Sequence, residues 1–373
     1  MNLSLSKPDI TDLEKKYVLE VLSSEQLSFG EKLANFEEQF KQEFNVKYAV
    51  AMNSGTSALH IAVKALGLQK GDEVITTPYS FVASSNCLIY EGVKPVFIDI
   101  NPYTLNMDAN LIEQAITART RAILVVHVFG QPCDMDAILE IAHKYNLLVI
   151  EDACEAIGAT WKEKKVGTFG DVGVFAFYPN KQITTGEGGI LITNNQEINL
   201  LAQSLRNQGR NLNSEWLSHD LIGYNYRMSE LQAAVGLAQM ERLQEILAKR
   251  TAAATRYLEL IKEYNLPIDT PFIDPNCQIS WFVFVIILAK NINRAQLIED
   301  LAKNGIPTKP YFPSIHLQPI YQKLFNYQVN TLPNSENLAE RTLAIPFFAN
   351  ITLTEQKYVI TQLQEALERN EER

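Results

Sequence analysis

The chain has 373 residues, 46% hydrophobic and 20% charged, and its 33 basic and 43 acidic side chains give a net charge of -10. That length exceeds what one hydrophobic core comfortably serves, so two domains are expected, and an acidic chain without a Lys/Arg run argues against nucleic acid as the main partner. No apolar run reaches transmembrane length and residues 1–8 lack the apolar core of a signal peptide, so the expectation is a cytoplasmic protein with no membrane partner.

Between about residues 47 and 152, short β-rich runs alternate with helical patterns. The strand candidates are 48–52, 73–77, 95–99, 122–126 and 147–150; the helix candidates are 58–66, 81–90, 109–115 and 135–145. This alternation calls for an α/β fold with a mostly parallel sheet covered by helices on both faces, with ligands beyond the carboxyl ends of the strands. Two further strand-like runs, 173–177 and 190–193, flank a glycine-rich turn. Residues 229–262 read as one long helical stretch leading into a smaller α+β domain with a strand at 280–288 and helices near 294–304 and 354–370. The division is placed near residue 250, giving domains 1–250 and 251–373.

Along this order, four segments carry chemistry. Asn53-Ser54-Gly55-Thr56-Ser57 lies between a strand and a helix, where hydroxyls, a glycine and free amides make a phosphate cradle; a plain serine or threonine N-cap is the competing role. Thr77-Pro78-Tyr79-Ser80-Phe81 follows a strand, and an aromatic there can stack on a flat ring or simply fill the core. Glu151 and Asp152 end an apolar strand, where a carboxylate is costly without a cationic partner. Lys181 follows the run Val174-Phe175-Ala176-Phe177 and precedes Thr185-Gly186-Glu187-Gly188-Gly189; a partly desolvated lysine is a candidate nucleophile towards an aldehyde. Phosphate anchor, ring-nitrogen partner, stacking face and amine together match the needs of pyridoxal 5'-phosphate. The cysteines Cys87, Cys133, Cys154 and Cys277 and the five histidines show no metal-ligand spacing, so no metal is expected and the thiols suit a reducing compartment.

These segments, with Gly71-Asp72-Glu73-Val74-Ile75, His127-Val128-Phe129-Gly130-Gln131-Pro132 and Gly223-Tyr224-Asn225-Tyr226-Arg227-Met228, resemble the DegT/DnrJ/EryC1/StrS family of sugar aminotransferases over nearly the whole chain. The resemblance implies the fold-type I architecture of aspartate aminotransferase and pyridoxal 5'-phosphate as cofactor. It implies that Lys181 is the catalytic lysine joined to the cofactor and Asp152 the partner of the pyridine nitrogen. Ser54, Gly55 and Thr56 match the phosphate loop, Phe81 the stacking aromatic, and Asn225, beside Arg227, a segment reaching the neighbouring subunit's site in a homodimer. Two departures stand out: Ala176 replaces a common serine, and Glu155 replaces a common glutamine or histidine near the cofactor's phenolic oxygen, as in a perosamine-synthase-like branch. The reaction implied moves an amino group from glutamate to a nucleoside-diphosphate-linked keto-sugar. The Asn-Tyr-Arg form at 225–227 favours C4 of a 4-keto-6-deoxy sugar, and Trp216, His219, Arg227, Lys309 and His316 are candidate substrate contacts. The alternatives are an aminocyclitol or C3 aminotransferase of the same family, a dehydratase (opposed by the presence of Lys181) and a non-catalytic regulatory protein.

Overall fold

The computed structural model describes residues 1–211 and 217–371. Its first nine strands, numbered in chain order, are β1 (Tyr48–Met52), β2 (Glu73–Thr76), β3 (Lys94–Phe97), β4 (Thr120–Val126), β5 (Leu148–Asp152), β6 (Thr160–Trp161), β7 (Lys164–Lys165), β8 (Val172–Ala176) and β9 (Gly189–Thr193). Seven of them form one sheet in the order β1-β9-β8-β5-β4-β2-β3, while β6 and β7 pair in a small side sheet. The pairings from β8 through β5, β4 and β2 to β3 are parallel, and β9 runs antiparallel to both its neighbours. Every strand of this sheet except β9 therefore ends at the same edge, where β9 begins.

Alternation along β8 shows why this sheet is buried on both faces. Val174 packs in the cluster that holds helix Gly55–Ala65, whereas Phe175 points the opposite way into a second cluster. Helix Glu31–Phe44 meets that second face through Phe36, Phe40 and Phe44, spaced four apart on one stripe. Phe40 lies 5.4 Å from the ring of Phe175 and Phe36 5.5 Å from that of Phe177. Each such buried aromatic contributes roughly 1.5–3 kcal/mol relative to exposure, which anchors the strand that leads to Lys181 against this helix.

The helical stretch expected over 229–262 is two helices, Glu230–Glu241 and Leu243–Glu263. The break falls at Arg242, whose guanidinium is held by Asp9 at 3.0 Å and Glu14 at 2.9 Å, binding the N-terminal segment to the joint. Beyond it, β10 (Ile268–Asp269), β12 (Phe284–Leu288) and β13 (Thr342–Ile345) form a three-stranded antiparallel sheet, and β11 (Cys277–Gln278) joins β6. Phe284, Ile286 and Leu288 face a core of their own that starts at Ala253, while Val285 and Ile287 face the first unit. Residue 250 lies inside helix Leu243–Glu263, and the chain's first residues join the second unit: the Leu3 amide donates to Gly305 O and the Phe347 amide to Leu5 O. No helix among the described residues is long and apolar enough to cross a membrane.

Candidate active site

Lys181 is placed by its neighbours rather than by a loop free to move. Phe177 is buried at the end of β8, and the Lys181 amide donates to Tyr178 O at 2.9 Å. Gln182 then locks the chain by donating its side-chain amide to Glu155 O and Ser280 O. The lysine Nζ lies 3.5 Å from Oε1 of Glu155 and 4.0 Å from the centroid of the Phe282 ring. It points into a cavity of about 680 Å³ at the strand-end edge of the large sheet.

The carboxylates around this cavity are supported differently. Asp152 ends β5; its Oδ2 accepts from Ser84 Oγ at 2.7 Å and its Oδ1 from the Cys154 amide at 3.1 Å. Glu155 accepts one backbone amide, that of Phe129, at 2.9 Å. Burial pushes the Glu155 carboxyl above its ordinary range; Lys181 opposes this and Asp152 adds to it. Glu151 faces away, as strand alternation requires, and accepts the amides of Gly167, Phe169 and Gly170. It also meets Nε2 of His127, whose Nδ1 accepts from the Cys133 amide, so the histidine proton sits on Nε2. Glu151 is thus a structural group, and Asp152 alone of the pair lines the cavity.

Helix Gly55–Ala65 begins at the same edge, with Ser54 as N-cap accepting the Ser57 amide at 3.0 Å. The capping role weighed against the phosphate role is therefore realised by the Ser54 hydroxyl. The amides of Gly55 and Thr56 at the helix start still offer the donors and the positive dipole end that suit a phosphate. Space there is tight: a Cβ on Gly55 would lie 2.5 Å from that of Ala176, and one on Gly189 would lie 2.5 Å from Ser54 C.

Phe81 lines the same cavity and is 60% exposed. The second unit supplies Phe282, Lys309 and Tyr311 to the same cavity. Burial pushes the Tyr311 hydroxyl up to about 12, with the charge of Glu155 adding to the effect. The two units are fastened there by Tyr79, whose buried hydroxyl meets Tyr311 O and Thr342 Oγ1, the latter at 2.8 Å. Sequence reasoning passed over Ser84, Phe282 and Tyr311; only the strand-end location of the Ser80–Ser84 stretch, next to Phe81, hinted at any of them.

The structure thus brings Ser54, Gly55, Thr56, Phe81, Asp152, Glu155, Lys181 and Lys309 to one cavity. Arg227 and His219 line a separate hollow of about 440 Å³, with Arg227 Nη1 donating to Asn207 Oδ1 at 3.0 Å. Asn225 is exposed on the same segment, between Tyr224 and Tyr226, whose rings stack at 4.9 Å on the opposite side. His316 needs correction as a substrate contact: it is 0% exposed, its Nε2 is paired with Glu336 at 3.1 Å, and it does not line the cavity. Trp216 lies outside the described residues.

Comparison with known proteins gives the chain its family. The model of the DegT/DnrJ/EryC1/StrS aminotransferase family matches residues 8–364. GDP-perosamine synthase of Caulobacter vibrioides is 39% identical over 368 residues, covering 98% of each chain. Among solved structures, Helicobacter pylori PseC, an aminotransferase involved in the biosynthesis of pseudoaminic acid, superimposes with a TM-score of 0.94 at 31% identity, over 99% of this chain and all of its own. The PLP form of a candidate sugar aminotransferase, Spr1654 of Streptococcus pneumoniae, has a TM-score of 0.94 at 25% identity, over 99% of each chain. The chain belongs to the DegT/DnrJ/EryC1/StrS aminotransferase family, and it is a sugar aminotransferase dependent on pyridoxal phosphate, with the fold-type I architecture.

Proposed function

We propose that this family member transfers the amino group of glutamate to a nucleoside-diphosphate-linked keto-sugar, at C4 of a 4-keto-6-deoxy sugar, for amino-sugar or surface polysaccharide biosynthesis. The observation that carries this reading is the convergence of Lys181, Asp152 and the helix start at Gly55 on one cavity. The relative named GDP-perosamine synthase, similar over nearly its full length, supports the sugar class.

The residues present fit the cofactor. Gly55 leaves the helix start bare where a side chain would collide with Ala176, and Asp152 is a buried carboxylate facing the cavity. When bound, pyridoxal phosphate supplies an aldehyde and an electron sink that acidifies the bond to the amino-bearing carbon. In this assignment Gly55 and Thr56 hold the phosphate with their amides, aided by Ser54 once its capping bond is shared. Asp152 would keep a proton on the ring nitrogen, and Phe81 would offer its ring as a stacking face. Lys181 would be the nucleophile and afterwards the base that holds the proton taken from the substrate carbon. Lys309, at the mouth, offers a point charge to a donor carboxylate or to the diphosphate.

Asn225 and Arg227 do not reach the cavity of their own chain, which supports a homodimer in which this segment serves the neighbouring site. Exposed Phe29, Leu217, Leu221 and Ile222 beside the Arg227 hollow suit such a contact. The reading places the enzyme in the cytoplasm, where nucleotide sugars are made. Its test is a mixture of the purified protein, pyridoxal phosphate and glutamate with GDP-, UDP- and dTDP-linked keto-sugars, with products weighed by mass spectrometry. Gain of an amine by at least one 4-keto-6-deoxy sugar is expected; no gain on any keto-sugar sinks the reading.

A further inference from the structure

Glu155 and Lys181 form a buried ion pair whose members are unequally supported. Among the described residues, Glu155 has one backbone donor, the Phe129 amide, and its one cationic neighbour in hydrogen-bond range is Lys181 Nζ, 3.5 Å away. Asp152 has two donors that stay in place whatever Lys181 does, Ser84 Oγ and the Cys154 amide. A carboxylate removed from water and stripped of its cation takes up a proton rather than remain charged. Lys181, for its part, must shed a proton before its nitrogen offers a lone pair, and the Phe282 ring 4.0 Å away favours the charged form. The proton needs a defined acceptor within reach.

We infer that Glu155 is that acceptor: a proton passes from Lys181 Nζ to Glu155 Oε1 as the lysine becomes a nucleophile, and returns when the amine is recharged. One N–H bond breaks and one O–H bond forms, and the N–H electron pair stays on nitrogen as the attacking lone pair. Nothing is oxidised or reduced, and the pair has zero net charge before and after. The other titratable groups facing Glu155 do not compete. Burial pushes the Cys154 thiol and the Tyr79 and Tyr311 hydroxyls up, which keeps them protonated and closed as acceptors. Asp152 raises the proton affinity of Glu155 further. This role makes sense of a glutamate beside the lysine, where a glutamine could not hold the proton. It rests on Lys181 being the nucleophile of the proposed transamination.

Two measurements on the full-length protein test it without an amino donor or a sugar. In protein carrying carboxyl-13C glutamate, difference infrared spectra of the cofactor-free Lys181→Met variant at neutral pH are expected to show a label-sensitive protonated-carboxyl band. That band should be absent from wild type and from Lys181→Met/Glu155→Gln. The second measurement follows by absorbance the rate at which cofactor-free protein captures pyridoxal phosphate covalently. Wild type is expected to be nearly flat between roughly pH 7 and 9, and Glu155→Gln to be slower and to vary with pH, because its lysine must then lose its proton to bulk solvent rather than to a carboxylate. A Lys181→Met protein without the band, or a Glu155→Gln protein with the wild-type rate and profile, overturns the proposal. Should Glu155→Gln not fold, the labelled Lys181→Met spectrum still decides. Neither measurement depends on which sugar is used, so failure here and failure of the keto-sugar panel are read separately.

Discussion

Replacing Ser84 by alanine isolates the interaction that holds Asp152 ready. Ser84 and Asp152 are both nearly inaccessible to water, and the serine hydroxyl donates to Oδ2 at 2.7 Å. Ser84 accepts in turn from Ser80 Oγ at 3.1 Å, a bond between two neutral groups. A hydrogen bond to a charged group contributes about 1.5–3 kcal/mol and a neutral one about 0.5–1.5 kcal/mol. With Ser84→Ala the buried carboxylate keeps only the Cys154 amide, so the loss belongs to the upper range; with Ser80→Ala it belongs to the lower. The assay is urea unfolding of the cofactor-free protein, comparing the two variants with wild type. Ser84→Ala should lower the midpoint at least twice as far as Ser80→Ala. Cofactor should recover part of the Ser84→Ala loss, because a protonated ring nitrogen gives Asp152 a new donor. Equal, small shifts for both variants would refute the claim that Ser84 stabilises a charged Asp152.

The remaining expectations concern the lysine, the cradle and the N-terminal joint. Lys181→Ala should abolish turnover while still binding pyridoxal phosphate noncovalently, seen as cofactor that dialyses away and adds no mass to the denatured protein; substantial residual transamination would remove the lysine from its role. Gly55→Ala would place a methyl 2.5 Å from that of Ala176 and should weaken cofactor affinity by tenfold or more, measured by fluorescence titration. Glu14 is buried, and although burial pushes its carboxyl up, the bonds from Thr11 and Gln239 outweigh this and hold it at about 2 against an ordinary 4.5. A depressed carboxyl contributes stability that is complete above the unfolded value and lost as pH falls through the folded one, so the loss runs from pH 4.5 down to about 2. Glu14→Gln should flatten acid unfolding in that window, as followed by circular dichroism.

The cradle, Asp152 and Lys181 could be read from the chain because each is fixed by local signals: a strand's end, a capping residue, a glycine-rich turn. The parallel sheet then gathers strand ends at one edge by construction, so local signals sufficed to place those groups together. Ser84 could not be read this way, since its value lies in meeting Asp152 sixty-eight residues later. Phe282 and Tyr311 come from a different unit, and only tertiary packing brings their rings to Lys181. His316, named as a candidate substrate contact, is buried instead, its Nε2 held by Glu336, a partner twenty residues on that no local signal marks. The helix break at Arg242 was hidden because no glycine or proline marks it; besides the nearby Glu245, the carboxylates that hold the arginine, Asp9 and Glu14, are over two hundred residues away in the chain.

Gly189 pairs with Met52 on one side and Ala176 on the other, directly beneath Ser54 and Gly55. Three stretches of chain therefore share a volume that admits almost no side chain. Inheritance at these positions is collective: a larger residue at 176 is tolerable only while 55 and 189 stay bare, and none of the three can drift alone. A library randomising 55, 176 and 189 together and selected for cofactor retention should return glycine at 55 and 189, with glycine, alanine or serine at 176. The tightness of this row, more than any single polar contact, decides which substitutions the site's descendants can explore.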